Sequence, residues 1–174
     1  KMCESMNRQF STDFRCFVPT NLYGQNDNFV DKNSHVIPAL IKRFHDAKIN
    51  EEPCIRIWGS GKPTRDFMYV EDLVRCIYQL FHLEKERIVS EVSEQCSHVN
   101  LGTGIEISIA DLAHCISEVV GYGGKIVFEN EKPDGMMRKV LNNKLMFKLL
   151  PDIQLTSLPD GLKKVYDKYK LGVK

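Results

Sequence analysis

The sequence predicts an α/β layered fold for this chain of 174 residues. Segments with the spacing of strands alternate with segments that carry apolar residues along one helical side, which is typical of layered α/β proteins. The hydrophobic content of 43% is sufficient for a core, and the length suits one domain or slightly more. The strands that could be internal, at 13–20, 98–102 and 54–58, are few for a sheet covered on both faces. We therefore expect an incomplete set of strands.

The first part of the chain predicts two helices that flank a buried strand and a polar loop. Asn33 and Ser34 can accept hydrogen bonds from the exposed amides of a first helical turn, and Pro38 is tolerated near a helix start. The predicted elements are a helix at 1–10, a buried strand at 13–20, a turn at 21–24, a polar loop at 25–33 and a helix at 35–48.

The second part begins with a strand that runs into a glycine-rich bend. Further on, Ser108 followed by Asp111 resembles a capping box, and Gly121 begins a glycine-rich helix exit. The predicted elements are a strand at 54–58, a hairpin-like bend, an extended stretch at 65–69, a helix at 72–83, a surface excursion at 84–96, a strand at 98–102, a helix from 108 to 120, a strand at 125–129, a turn at 132–135 and helices at 142–150 and 159–171.

Charge and cysteine usage exclude several classes of function. Lys and Arg total 24 against 23 Asp and Glu, so nothing indicates a nucleic acid or an anionic membrane as partner. No apolar run is long enough to span a bilayer. The 6 cysteines are scattered, without a C-x-x-C pair. They predict reduced, mostly buried thiols in a cytoplasmic protein, and neither cysteines nor histidines have the spacing of metal ligands.

The stretch from Trp58 to Asp72 is the first candidate site. Gly59, Gly61 and Pro63 predict a bend that brings the indole of Trp58 near the guanidinium of Arg65. An aromatic face beside a fixed cation suits a base or sugar next to a phosphate. The spacing alone equally fits a half-buried tryptophan and a surface arginine, which is a common arrangement in turns.

Other candidates each have an ordinary structural alternative. Gly102-Thr-Gly104 follows a strand, but Ile107 stands where a dinucleotide fingerprint needs its third glycine. His35 at a helix start could act as an acid or base, or could be a partly exposed first-turn histidine. The turn Lys132–Gly135, followed by Arg138 and Lys139, could clamp phosphate oxygens or be a solvated basic turn.

Together these residues resemble the extended short-chain dehydrogenase/reductase superfamily. Its general pattern is carried by Arg65-x-Phe67-x-x-Val70-x-Asp72 and Asn100-x-Gly102-x-Gly104. The finer resemblance is to the GDP-L-fucose synthase family, in which Asn33-Ser-His-Val-Ile-Pro-Ala-Leu40 is highly specific. The other matching segments are Cys3–Gln9, Pro19–Gly24, Asp27–Phe29, Trp58–Gly61 and Lys132–Gly135 with Arg138 and Lys139.

The resemblance implies an oxidoreductase with epimerase activity that uses NADP(H) and a GDP-sugar, GDP-4-keto-6-deoxy-D-mannose, to make GDP-L-fucose. By the same resemblance, the nicotinamide side of the cofactor site would be lined by Pro19, Thr20, Asn21 and Leu22. His35 would be the catalytic acid or base and would also touch the cofactor. The GDP part of the substrate would be held by Arg43, Trp58, Arg65 and Lys139.

The resemblance also implies a domain division and an incomplete enzyme. The chain would be the C-terminal part of a Rossmann-like fold, with remnants of the NADP-binding Rossmann domain (1–24), the substrate-binding domain in two parts (25–65 and 102–174) and a helix and strand returning to the Rossmann domain (66–101). The family's glycine-rich loop and its Tyr-x-x-x-Lys pair would precede Lys1, so we expect the chain alone to be inactive, and the parent to be a homodimer.

Two alternatives and two departures stay open. Asn142 stands where the family usually has Asp, and Phe147–Pro151 lacks the family's usual Gly-Trp. The chain could belong to another nucleotide-sugar epimerase or dehydratase, or could be a non-catalytic nucleotide-sugar-binding module. We also expect poor stability in isolation, because Phe14–Val18 would leave an open apolar edge.

Overall fold

The computed structural model describes residues 1–29 and 34–172. The helices are α1 (Met2–Phe10), α2 (Val36–Ile49), α3 (Val70–Phe81), α4 (Lys85–Val89), α5 (Ile109–Val120), α6 (Lys144–Leu149) and α7 (Leu158–Lys170). The strands are β1 (Cys16–Pro19), β2 (Asn21–Tyr23), β3 (Cys54–Trp58), β4 (Thr64–Arg65), β5 (Phe67–Tyr69), β6 (His98–Leu101), β7 (Ile107–Ser108), β8 (Lys125–Glu129) and β9 (Arg138–Lys139).

The strands form small sheets in which parallel pairing dominates. β1 pairs with β6, β2 with β5 and β3 with β8, all parallel. β4 lies between β7, which is antiparallel to it, and β9, which is parallel. Parallel partners need helical crossovers between them, so the predicted α/β class is confirmed.

Two apolar clusters form the core. In the first, Ile41 and Phe44 of α2 pack in one cluster with Leu112 and Ile116 of α5, and α7 adds its apolar side. The second unites α3, α4, β6 and α6. The helices other than α4 were predictable because one side of each is apolar at 3.6-residue spacing. The four-part domain division stays a prediction.

Local structure matches several sequence signals. The Ser108 hydroxyl accepts a hydrogen bond from the Asp111 amide, and Gly121 ends α5 in the left-handed conformation, with φ of 73°. α2 begins at Val36, one residue later than predicted, and His35 rather than Ser34 stands directly before it, without a side-chain cap bond. Asn33, the other predicted start signal, lies outside the described residues.

Three predictions about the strands and the bends between them were wrong. The predicted turn at 21–24 contains β2, because Asn21–Tyr23 aligns with Phe67–Tyr69 as a parallel partner. The predicted buried strand is shorter and half open: the exposed fraction is 49% for Phe14 and 37% for Val18. The bend after Trp58 is not a hairpin, since β3 and β4 pair with other strands.

Two further expectations, a surface excursion at 84–96 and mostly buried thiols, also differ from the structure. The stretch after α3 contains α4, whose Ile88 is buried. Only Cys76 among the cysteines is buried, whereas Cys96 is exposed. Burial raises the pKa of the Cys76 thiol to about 11, so this thiol is inert near neutral pH. Among the described residues, no helix has the length and apolar character needed to cross a membrane.

Candidate functional site

One cleft of about 450 Å³ brings together residues from five separate elements, which are β2, α2, β4, β5 and α5. The start of β2, the start of α2 and the end of β4 all open into it. Five of the residues predicted from sequence line this cleft: Thr20, Asn21, Leu22, His35 and Arg65. Pro19 ends β1 directly before them. The sequence resemblance therefore selected residues that are far apart in the chain and adjacent in space.

Thr20 and Asn21 are held in place by Leu101, at the end of β6, and by Asp66, which lies between β4 and β5. The Thr20 amide donates to the Leu101 carbonyl at 2.8 Å. The Thr20 hydroxyl and the Asn21 side-chain amide both donate to the Asp66 carbonyl, at 3.0 and 2.8 Å. This shared acceptor ties the β2 side of the cleft to the β4 side.

His35 stands at the mouth of the cleft, directly before α2. Its side chain is 77% exposed, and its Nδ1 lies 3.5 Å from Asp27 Oδ1. His35 also borders a neighbouring cleft of about 400 Å³ that is lined by Gln25, Asp27 and Glu71. An exposed imidazole beside a carboxylate can move a proton between solvent and a bound molecule.

Arg65 and Lys139 form a pair of cations on one face of the small β7–β4–β9 sheet. The two are register partners on adjacent parallel strands, so their side chains leave the same face. Arg65 Nη1 donates to the Thr64 carbonyl at 2.7 Å. Within the described part of the chain, neither cation has a carboxylate within ion-pair distance, so both are available to an anion.

Arg138 points away from this pair, which corrects the clamp suggested by its position next to Lys139. Its guanidinium forms a bidentate contact with Glu106, with Nε 3.1 and 2.9 Å from the two carboxylate oxygens. Arg138 lowers the pKa of the Glu106 carboxyl. Alternation along β9 separates the neutralised Arg138 from the unpaired Lys139.

Trp58 packs against the predicted turn by its polar edge. Its Nε1 donates to the Pro133 carbonyl at 2.8 Å, and Lys132 Nζ lies 5.4 Å from the ring centroid. The residue is still 61% exposed, so part of the indole remains open for stacking.

Asp134 fastens this turn to the bend after β3. The Ser60 hydroxyl and amide donate to its two carboxylate oxygens at 2.6 and 2.8 Å. Both bonds lower the pKa of the Asp134 carboxyl, and the bond from the Ser60 hydroxyl has the larger effect. The turn also approaches the Arg65 side chain, because a Cβ on Gly135 would lie 3.8 Å from Arg65 Nη2. Trp58 and Arg65 therefore flank one turn, although the bend between them is not a hairpin.

Arg43 lies outside the cleft. Its guanidinium donates to the Arg56 carbonyl on β3, two positions before Trp58. The structure thus places it on the Trp58 side of the site and away from His35.

Sequence reasoning assigned no individual role to three aspartates that organise the site: Asp27, Asp66 and Asp134. Each had a local signal. Asp27 is an acidic residue in the polar loop before His35, Asp66 interrupts an apolar strand directly after Arg65, and Asp134 is the central residue of a Pro-Asp-Gly turn. Their partners are distant in sequence, so only the folded chain identifies what each one holds.

Comparisons with known proteins identify the family of the chain. The sequence model of the NAD dependent epimerase/dehydratase family matches residues 1–100. A GDP-L-fucose synthase of Escherichia coli (strain K12) is 46% identical over 142 residues, which cover 82% of this chain and 44% of that protein. One from Sinorhizobium fredii is 44% identical over 175 residues, 99% of this chain and 52% of that protein. The chain spans about half the length of the curated relatives it matches.

Solved structures show the same fold. A GDP-6-OMe-4-keto-L-xylo-heptose reductase from C. jejuni superimposes with a TM-score of 0.87 at 30% identity, covering 99% of this chain and 58% of that one. A GDP-L-fucose synthetase from Naegleria fowleri bound to NADP has a TM-score of 0.80 at 26% identity, covering 97% of this chain and 50% of that one.

Proposed function

Because the chain belongs to the NAD dependent epimerase/dehydratase family, we propose that it carries the nucleotide-sugar-binding part of an NADPH-dependent epimerase/reductase. The proposed reaction converts GDP-4-keto-6-deoxy-D-mannose to GDP-L-fucose. The observation that carries the proposal is the cleft that unites His35 with Thr20, Asn21 and Arg65. An acid/base group, polar side chains and a cation in one cleft suit a keto-sugar held by its phosphates.

The cationic face is the proposed site for the diphosphate. Arg65 and Lys139 leave the same face and have no acidic partner within the described residues. Two unpaired cations side by side can each donate charge-assisted hydrogen bonds to phosphate oxygens. The exposed indole of Trp58, with Arg43 nearby on the same side, would hold the nucleoside of GDP by stacking and charge.

The cleft wall formed by Pro19, Thr20, Asn21 and Leu22 is the proposed nicotinamide side of the NADP(H) site. It fits that role because it combines an apolar strand edge with hydroxyl and amide groups fixed by the Asp66 carbonyl. NADPH, when bound, supplies the hydride that reduces a C4 ketone. The residues of this chain would orient the ring against the sugar and keep the two in contact.

His35 is the proposed proton carrier. A ketone at C4 acidifies the protons at C3 and C5, so a base on one face of the ring and an acid on the opposite face can invert both centres, and His35 would be one of these two groups. The imidazole suits this because its two ring nitrogens can give and take a proton, and its Nδ1 faces Asp27 while the ring stays exposed.

A second candidate is a reductase or epimerase of another GDP-linked keto-sugar. The similarity to the C. jejuni heptose reductase, with a TM-score of 0.87, favours it. The diphosphate and nucleoside contacts would be the same, and the sugar pocket would differ. The resemblance further implies a cytoplasmic location and a homodimer for the parent enzyme, and light scattering of the hybrid described below would test the homodimer.

A hybrid enzyme tests the proposed function. Residues 1–174 would replace the matching part of the Escherichia coli relative, which is 46% identical over 142 residues. We expect the hybrid to oxidise NADPH with GDP-4-keto-6-deoxy-D-mannose and His35→Gln to abolish GDP-L-fucose formation, while residues 1–174 alone stay inactive. A folded hybrid that binds GDP but turns over only a keto-heptose would support the second candidate. One that binds GDP and turns over neither sugar would leave only a binding module.

A further inference from the structure

A buried carboxylate, Asp66, lies behind the proposed site and contacts no ligand surface itself. It is fully buried, between Arg65 and Phe67, which both line the cleft. The amide and hydroxyl of Thr103 donate to Oδ1, the amide at 3.2 Å. The Gly104 amide and the Asn143 side-chain amide donate to Oδ2, each at 3.2 Å. All four partners are donors, as an ionised carboxylate requires.

The Asp66 carboxylate is stabilised by hydrogen-bond donors rather than by a neighbouring cation. Within the described residues no ion pair to Asp66 is present, and the neighbouring Arg65 donates to the Thr64 carbonyl. Gly102 allows the close approach, because a Cβ there would lie 2.5 Å from Asp66 Oδ2. The Asp66 carboxylate is thus compensated by hydrogen bonds from the loop Thr103–Gly104 and from Asn143. It does not neutralise Arg65, whose charge remains available to a bound anion.

The backbone of the same residue faces the other side of the cleft. The Asp66 carbonyl accepts from the Thr20 hydroxyl and the Asn21 side-chain amide. One residue therefore connects the loop after β6, the cation-bearing strand β4 and the polar wall at β2. A shift of Asp66 would move Arg65 and release Thr20 and Asn21 together.

We propose that Asp66 is a positioning residue that sets the geometry between the anion-binding Arg65 and the polar wall of Thr20 and Asn21. This inference rests on the proposed function for the ligand that Arg65 binds. It predicts that removing the Asp66 carboxylate changes the ligand affinity and the environment of Asn21 more than an equally destabilising substitution elsewhere does.

Asp72 offers a matched control. It is also fully buried, and it accepts from the Thr156 amide at 2.7 Å and the Thr156 hydroxyl at 2.9 Å, with Arg75 as an ion-pair partner. It lies in the first turn of α3 and does not line the cleft. Asp72→Asn removes a buried carboxylate of the same kind without touching the proposed site.

The experiment compares Asp66→Asn and Asp72→Asn in the 174-residue chain. Thermal unfolding measures stability, calorimetric titration measures GDP affinity, and a ¹⁵N–¹H spectrum reports the side-chain amide of Asn21. We expect both variants to lose stability. Asp66→Asn should shift the Asn21 signal and raise the Kd for GDP about tenfold. The displaced Arg65 would lose one hydrogen bond to a charged phosphate, which is worth roughly that factor. Asp72→Asn should leave both readouts within about twofold.

Several outcomes overturn the inference. An unshifted Asn21 signal in Asp66→Asn would do so, and so would equal changes of GDP affinity in the two variants. If Asp66→Asn does not fold, Thr103→Val removes one donor to Oδ1 with little change of shape, and the same Asn21 shift is expected at smaller size. Failure of the unaltered chain to bind GDP contradicts the proposed function, whereas the Asn21 signal still tests the role of Asp66.

Discussion

Arg65 and Lys139 are register partners on β4 and β9, and their side chains leave the same face of the sheet. The preceding pair, Thr64 and Arg138, occupies the opposite face, where both contact Glu106. Strand alternation therefore sorts two adjacent cations into one that is neutralised and one that is free for an anion. This sorting yields a direct mutational test.

Removing either cation of the Arg65–Lys139 pair should weaken GDP binding, and removing Arg138 should not. We expect Arg65→Ala and Lys139→Ala each to raise the Kd about tenfold, because a charge-assisted bond to phosphate is worth about 1.5 kcal/mol or more. Arg138→Ala is the matched control, since it removes one positive charge at the adjacent position. Calorimetric titration measures all three. Equal weakening by Arg138→Ala would show that net charge, rather than placement, determines affinity.

Acid should detach the turn that carries Asp134. The folded-state pKa of this carboxyl lies below its usual value of 3.8, because Ser60 donates two hydrogen bonds to it. The attachment is therefore fully present above that value and is lost as the pH falls through the lower folded-state pKa. Trp58 bonds to the same turn and is the single tryptophan, so its fluorescence should change below about pH 4.

Asp134→Asn serves as the control for this titration, because it cannot ionise. Its Trp58 emission should lack the transition that the unaltered chain shows. The same acid transition in both proteins would assign it to other carboxylates, such as Glu106, and would contradict the role given to Asp134.

Gly59→Ala should disrupt the same attachment at neutral pH. Gly59 has a φ of 84°, and an added Cβ would lie 2.5 Å from Asp134 Oδ1. Left-handed backbone costs a residue with a side chain about 1–2 kcal/mol, and the contact adds to this. We expect a lower melting temperature and a changed Trp58 emission. Gly123→Ala, where a Cβ meets nothing within 4 Å, should leave both unchanged. Similar behaviour of the two variants would refute the close contact.

The exposed edge at β1 should promote association of the isolated chain. Phe14 and Val18 are partly exposed there, and β1 has a strand partner on one side within the described residues. Lysine on an edge strand opposes edge-to-edge pairing, so Val18→Lys should reduce aggregation measured by light scattering. Ile49→Lys is the control, because Ile49 is 67% exposed but ends a helix. If both lysines help equally, general charge rather than the strand edge explains the effect.

Periodicity predicted the parts of the fold that depend on local sequence. The apolar side of α5, its Ser108 cap and its Gly121 exit are all encoded within one segment, and the structure confirms them. Asn21–Tyr23 could not be predicted as a strand, because three residues carry no period and their partner is Phe67–Tyr69.

The site also has one part that the sequence could predict and another that it could not. Resemblance selected His35, Thr20 and Arg65, which the structure brings into one cleft. It could not indicate that Arg65 pairs in register with Lys139, or that Asp66 binds the loop Thr103–Gly104, since both relationships depend on tertiary contacts.

Calorimetric titration of the chain with GDP, and separately with UDP, tests the central claim most directly. The account predicts that GDP binds, that UDP binds at least about tenfold more weakly, and that Arg65→Ala reduces GDP binding. Equal binding of the two nucleotides, or a preference for UDP, would contradict the assignment of this site to a GDP-sugar.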